Sequence, residues 1–246
     1  MLSGPDWSQA KVLDFGGNRG ATLASGRIKE SNYWCLDVSR DAIERGKQEF
    51  PQAHWIFYNR YNFHFNPDGI EGLKIPIEAQ KFDIILAYSV FTHTSKAEMI
   101  ELTGALRGLL AENGKLAFTF IDQHYQLPEN YSDLLRGKPT QTNLRLRLEK
   151  IKLQNLAVPV EEVLWQAANS EWCTVVNDGD IYVNHENIGA YSVESKKLYD
   201  TFYSPELIAR IFPEAVILPP PRDYDTGGSE MQHCCVLGPP NSRQHS

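Results

Sequence analysis

Val12-Leu13-Asp14-Phe15-Gly16-Gly17-Asn18-Arg19-Gly20 decides the fold. A short apolar run ends in an acid and then in a glycine-rich turn. That is how a buried strand delivers its backbone to a ligand at the carboxyl edge of an α/β sheet. A dinucleotide fingerprint, Gly-x-Gly-x-x-Gly from Gly16, needs glycines at 18 and 21, where Asn18 and Ala21 stand. The pyrophosphate reading is weakened accordingly. Asn tolerates left-handed backbone better than other non-glycine residues, so the turn survives with Asn18 in it. A carboxylate at Asp14 suits a ligand that carries positive charge rather than a phosphate.

Outward from this turn, the chain alternates. Apolar runs at Lys11–Phe15, Tyr33–Val38, His54–Tyr58, Phe82–Tyr88 and Lys115–Ile121 read as parallel strands, with Ala215–Leu218 and Met231–Leu237 as two more. Ser39 is placed to cap a helix that Pro51 stops. Ser95 and Glu98 have capping-box spacing, and behind them Met99, Leu102, Leu106, Leu109 and Leu110 form an apolar stripe, with Gly114 as the expected stop. The link between the last two strands is too short for a crossover helix, which predicts an antiparallel hairpin at one edge of the sheet, and Pro219–Pro221 argue against further pairing there. Ser204–Phe212 reads as a helix.

Residues 122–200 break the alternation. Thr142–Gln154 is basic and amphipathic, and helix is expected on to Asn169. Trp172–Val176 and Asp180–Asn184 flank Asn-Asp-Gly, a hairpin signal. The predicted organisation is a core of 1–121 and 201–240, a cap or lid of 122–200 over the sheet's carboxyl edge, and a frayed tail at 241–246.

The chain has 246 residues, 24 basic and 31 acidic, for a net charge of −7. That balance excludes a generally basic nucleic-acid binder, and no duplex nucleic acid is expected as a partner. An apolar fraction of 42% provides for a core, while no apolar run approaches the length of a membrane helix. Met1–Trp7 has neither the basic region nor the apolar core of a signal peptide. Cys35, Cys173, Cys234 and Cys235 fit no zinc spacing, and neighbours on a strand make poor disulfide partners. A reduced, cytoplasmic setting is expected, without a metal.

The second strand ends Cys35-Leu36-Asp37-Val38, where an acid at the strand tip can accept both hydroxyls of a ribose. With this pair of acids, the sequence resembles the class I S-adenosylmethionine-dependent methyltransferases. Phe82-Asp83-Ile84-Ile85-Leu86-Ala87-Tyr88-Ser89-Val90-Phe91-Thr92-His93 is similar to the family's fourth-strand segment, and Leu109-Leu110-Ala111-Glu112-Asn113-Gly114-Lys115-Leu116 to its approach to strand five. The resemblance covers about 1–121 and 201–238. It implies a seven-stranded Rossmann-like sheet with a terminal antiparallel hairpin, and S-adenosylmethionine as cofactor. It places that cofactor against Asp14, Phe15, Gly16, Gly17, Asn18 and Gly20, against Asp37 and Val38, and against Tyr88 and Ser89. It also implies an adenine edge at Asn59, Arg60 and Tyr61, where Asn59 replaces the family's usual Asp. Its amide can accept from the adenine amino group or donate to a ring nitrogen. The helices that usually precede the first motif have no counterpart in residues 1–11, so cover is expected from the 122–200 insert.

A base is needed only where the nucleophile carries a proton, as phenols, alcohols and ammonium groups do. His93 and His124 are the candidates, and Tyr88 and Tyr125 are candidate walls of the substrate site. His185 and Tyr191 lie in the insert without a spacing that demands a role. Arg145, Arg147, Lys150 and Lys152 form the one marked basic strip; facing the cleft, it would hold an acidic small molecule or a peptide carboxylate. The function expected is methyl transfer to an oxygen or nitrogen of a small metabolite or natural-product intermediate. The alternative is a non-catalytic module of the same fold within an assembly, which the intact set of Asp14, Gly16, Gly20 and Asp37 disfavours. A nicotinamide or nucleotide-sugar enzyme is the weaker third class.

Overall fold

The computed structural model describes residues 6–62, 64–125, 165–166, 170, 172–176, 180–183, 186–190, 199–220 and 232–240. It divides into two compact units, Met1–Phe91 with Lys96–Phe118 and Val236–Ser246, and Thr92–Ser95 with Thr119–Cys235.

The first unit is the α/β sheet. Its strands are β1 (Val12–Phe15), β2 (Tyr33–Asp37), β3 (His54–Phe57), β4 (Phe82–Ala87) and most of β5 (Leu110–Ile121). They stand in the order β3-β2-β1-β4-β5, with every neighbour pair parallel. The crossing of sequence order at β1 is the switch point at which α/β sheets open a crevice at their carboxyl edge. β1 is buried at all four positions, and Leu13, Tyr33, Cys35, Ile43, Ile84 and Ile85 are fully buried around it. This two-sided burial is why these strands read as continuous apolar runs.

Helix α1 (Arg40–Glu49) begins where expected: Ser39 is extended, and its side chain accepts from the Ala42 amide. Helix α2 (Lys96–Gly108) buries Met99, Leu102 and Leu106, as the apolar stripe predicts. Gly114 does not stop this helix. The helix ends at Gly108, and Gly114 lies inside β5, where the register slips between Phe82 and Ile84. A Cβ at Gly114 would stand 2.7 Å from the Phe82 carbonyl oxygen, so close backbone approach is what requires the glycine.

In the second unit, β6 (Trp172–Val176), β7 (Asp180–Val183) and β8 (Glu186–Ala190) run antiparallel in turn, and β9 (Tyr199–Tyr203) pairs antiparallel with β6. The β6–β7 hairpin is the one signalled by Asn-Asp-Gly. β9 also pairs in parallel with the end of β5, Ile121 opposite Phe202, which adds strands beyond the seven predicted. Helix α3 (Pro205–Ile211) is capped by Ser204, whose side chain accepts from the Leu207 amide. β10 (Val216–Leu218) ends before Pro219, and β11 (Gln232–Leu237) pairs with both β10 and β5. β11 therefore lies between β5 and β10, so the β10–β11 pair flanks β5. The helix expected through Thr142–Gln154, the basic strip within it, His185, Tyr191 and the 241–246 tail lie outside the described residues. Among the described residues, no helix is long and apolar enough to cross a membrane.

Candidate active site

The turn after β1 is built from left-handed residues. Gly16 has φ +75°, Asn18 +53° and Gly20 +87°. Asn18 thus takes the backbone expected of it. A Cβ at Gly16 would lie 2.5 Å from Val90 Cγ2, so the segment after β4 packs directly on this glycine. Gly20 gives room in the same way to the Trp55 ring, at 2.9 Å. The sequence reading missed Val90, and no local pattern marks it.

The two acids do different work. Asp14 is 2% exposed, and its carboxyl lies beneath Gly17, whose added Cβ would sit 2.6 Å from Asp14 Cγ. The Tyr33 hydroxyl donates to Asp14 Oδ2 at 2.7 Å, and the Thr22 side chain bonds it too. Burial pushes its pKa up, against these bonds. Its carboxyl braces the turn from inside, whereas the sequence suggested that it offers charge to a ligand. Phe15 is likewise buried, with its ring 6.1 Å from that of Tyr58.

Asp37 stands at the tip of β2. Its Oδ2 accepts from the Asn18 amide at 2.8 Å and its Oδ1 from the Ser39 amide at 2.7 Å, with the Val38 amide also bonded. Burial raises its pKa, and these amides oppose the rise. Both oxygens are therefore fixed by main chain, and with three amides on about four lone-pair sites the carboxylate keeps some acceptor capacity. Asp37 also ties the two strand tips together, because Asn18 belongs to the β1 turn. Val38 is half-buried beside it.

After β3 the chain folds back on itself. Tyr58 N donates to the Asp37 carbonyl, which places Asn59 on the same sheet edge. Arg60 does not present its guanidinium to that edge. It is 5% exposed and bidentate on Glu101 of α2, at 3.0 and 2.8 Å, with Glu98 at 3.7 Å. It also donates to the Leu73 carbonyl at 3.0 Å, which accepts from the Tyr58 hydroxyl as well. The side chain expected at the adenine edge thus pins the loop to a helix. Tyr61 is half-buried, and its amide donates to Ile70 O at 2.9 Å. At the end of β4, Tyr88 is 47% exposed and Ser89 has φ +54°. A left-handed serine is strained backbone, which accumulates at functional sites.

The remaining candidates belong to the second unit. His93 closes a 3-10 turn, Phe91–His93, and is half-buried. The His124 amide donates to Asp122 Oδ1 at 2.8 Å, and its Nε2 is 3.1 Å from Gln123 Nε2. Tyr125 stands edge-on to the His233 ring, 5.8 Å between centroids. His233, absent from the sequence reading, is buried and stacked on Phe120 at 5.2 Å. Burial holds its pKa below the usual histidine value, and the charges of Asp122 and Glu206 act against that. Burial alternates along β11, with His233, Cys235 and Leu237 inward, but Cys234-Cys235-Val236-Leu237 is apolar on both faces, so the sequence carries no such alternation.

Residues 13–116 match the family described as "Methyltransferase domain". Residues 13–116 are thus similar to a methyltransferase domain. The match runs from β1 as far as Leu116 in β5, the strands on which the sequence resembles the class I S-adenosylmethionine-dependent enzymes. None of the curated proteins matches the chain. Among solved structures, an S-adenosylmethionine-dependent methyltransferase from Clostridium acetobutylicum ATCC 824 is 13% identical over 92% of this chain and 83% of that one, at a TM-score of 0.48. The glycopeptide N-methyltransferase MtfA with S-adenosyl-L-homocysteine is 12% identical over 97% and 85%, at 0.49.

Proposed function

We propose that this methyltransferase moves the methyl group of S-adenosylmethionine to an oxygen or nitrogen of a compact organic molecule. The observation that supports it most is the Asp37 carboxylate, held by the Asn18 and Ser39 amides at 2.8 and 2.7 Å beside the left-handed turn 16–20. A ribose diol fits a carboxylate fixed in this way, and the turn brings main chain beside it. Bound there, the cofactor supplies a methyl on a sulfonium that leaves as a neutral thioether. Asp37 orients the ribose, Gly16 and Asn18 bring backbone close, and Tyr88 and Ser89 wall the end of β4. Alignment and exclusion of water are the main contributions asked of the protein. Where the nucleophile carries a proton, His124 or His93 takes it.

In this reading 122–200 is the cap that supplies substrate contacts, and an acidic molecule or a peptide carboxylate is the substrate that the strip Arg145, Arg147, Lys150 and Lys152 would favour. The cysteine usage supports a cytoplasmic setting. Calorimetry with S-adenosylhomocysteine, NAD and a nucleotide sugar tests the cofactor. Binding of the first alone is expected, and binding of either other in its place overturns the reading. A methylation screen on a metabolite extract then identifies the acceptor class.

A further inference from the structure

We infer that Asn59 reads its ligand as a hydrogen-bond donor, not as an acceptor, and that Asn66 fixes this choice. The inference rests on the proposed S-adenosylmethionine site and deepens it. Asn66 Nδ2 lies 3.0 Å from the backbone carbonyl of Arg60 and 3.2 Å from Asn59 Oδ1. A carbonyl only accepts, so the Asn66 atom facing it is the NH2 group. The same NH2 faces Asn59, so the Asn59 atom on that side is its oxygen. The amide of Asn59 is thereby turned: its oxygen is engaged inside the loop, and its Nδ2 donates to no other group among the described residues. The anchor is backbone, so neither amide can be reversed without losing a bond.

The next two backbone donors are already used. The Arg60 amide donates to Tyr58 O at 2.7 Å, and the Tyr61 amide to Ile70 O at 2.9 Å. Ile70 N in turn donates to the Asn59 carbonyl at 2.8 Å, and Gly69 sits against Arg60 so closely that a Cβ would be 2.6 Å from its carbonyl. The loop is closed on itself, and the Asn59 side-chain NH2 is a donor that these internal bonds leave for a ligand. Asn59 stands two residues beyond Phe57, the partner of Asp37 in the β2–β3 register. A nucleoside whose ribose engages Asp37 therefore brings its base to this NH2. The matching feature on the base is a ring nitrogen with a lone pair. The exocyclic amino group, itself a donor, is not read by Asn59.

The test is calorimetry on the full chain with three probes: S-adenosylhomocysteine, its analogue with CH in place of ring N1, and its analogue lacking the amino group. The wild type should lose about tenfold in affinity for the N1-deleted analogue, the scale of one hydrogen bond, and change less than about threefold for the deaminated one. Asn59→Ala should abolish the N1 penalty. Asn59→Asp, which can only accept when ionised, should reverse the order of the two analogues. Asn66→Ala frees the amide to turn and should shrink the difference between them. A larger loss for the deaminated analogue in the wild type overturns the inference, as does an N1 penalty that persists in Asn59→Ala. Should S-adenosylhomocysteine itself not bind the wild type, the cofactor reading fails instead.

Discussion

Asp14 and Asp37 are both buried acids at strand tips, and their partners separate their roles. Asp37 is bonded to backbone amides and its carboxylate keeps acceptor capacity, so Asp37→Ala should weaken binding of S-adenosylhomocysteine by about 1.5–3 kcal/mol, the scale of charge-assisted bonds. Calorimetry on a folded variant measures it, and unchanged affinity removes Asp37 from the site. Asp14 is bonded to Tyr33 and lies under Gly17, so its titration belongs to stability. Burial raises its pKa in the folded state above the ordinary 3.8. Between those two values the native protein holds a proton that the unfolded chain has released. The stability tied to this group is fully present below the ordinary value and is lost as pH rises through the raised one. Urea unfolding of the wild type and of Asp14→Asn should therefore show the wild type losing ground to the variant as pH climbs through that window. A difference constant with pH would mean that the Asp14 carboxyl is not shifted.

Between elements, contacts that sequence spacing cannot show decide the geometry. Gly16 meets Val90 from the segment after β4, and its φ is +75°. Gly16→Ala therefore combines a clash with left-handed strain and should cost at least about 1–2 kcal/mol. Adding Val90→Ala should return the clash part and leave the strain, which a double-mutant cycle in urea separates. Arg60 joins the loop after β3 to α2 across 41 positions of sequence. Glu101→Ala leaves a buried guanidinium short of its partner, and because Glu101 is itself about half exposed the cost should be about 1–2 kcal/mol in urea unfolding, not the larger loss of a fully buried pair. The strands of the sheet and the turn at Asn18 were legible because they follow from local pattern: unbroken apolar runs, and a residue type suited to positive φ. The start of β5 was not, because the pairing of Leu110 with Phe82 decides it, and Gly114 answers to a carbonyl of another strand. Arg60 was misread for the same reason, since its partner is set by tertiary packing. His233 was not legible, because the residues of β11 are apolar on both faces and a lone histidine in a strand carries no spacing to draw notice.

At the scale of the whole molecule, two expectations concern partners. The proposed cap at 122–200 predicts that its amides gain protection from hydrogen exchange when S-adenosylhomocysteine and an acceptor from the metabolite screen are both present; a segment that is only part of the scaffold shows no change on binding. The second expectation follows from charge. A protein that holds nucleic acid without reading bases does so by neutralising phosphates, and each neutralised phosphate needs a Lys or Arg on the contact face. Here 24 basic residues stand against 31 acidic ones, the net charge is −7, and the sequence pI is about 5.5. The four cations of the one marked basic strip are fewer than the six or so phosphate contacts that give strong salt-dependent binding. The rest of the chain would repel the polyanion. Fluorescence anisotropy with a labelled duplex of about 20 base pairs, at ~150 mM salt, should therefore show no binding at protein concentrations of about 10 µM. The same strip is enough for one carboxylate, which takes one or two basic groups in bidentate contact. Among methyl acceptors in the screen, small acids should then bind more weakly as salt rises, while neutral acceptors should not. Duplex binding at micromolar concentration with a steep salt dependence would place the substrate among nucleic acids and remove the small-molecule reading.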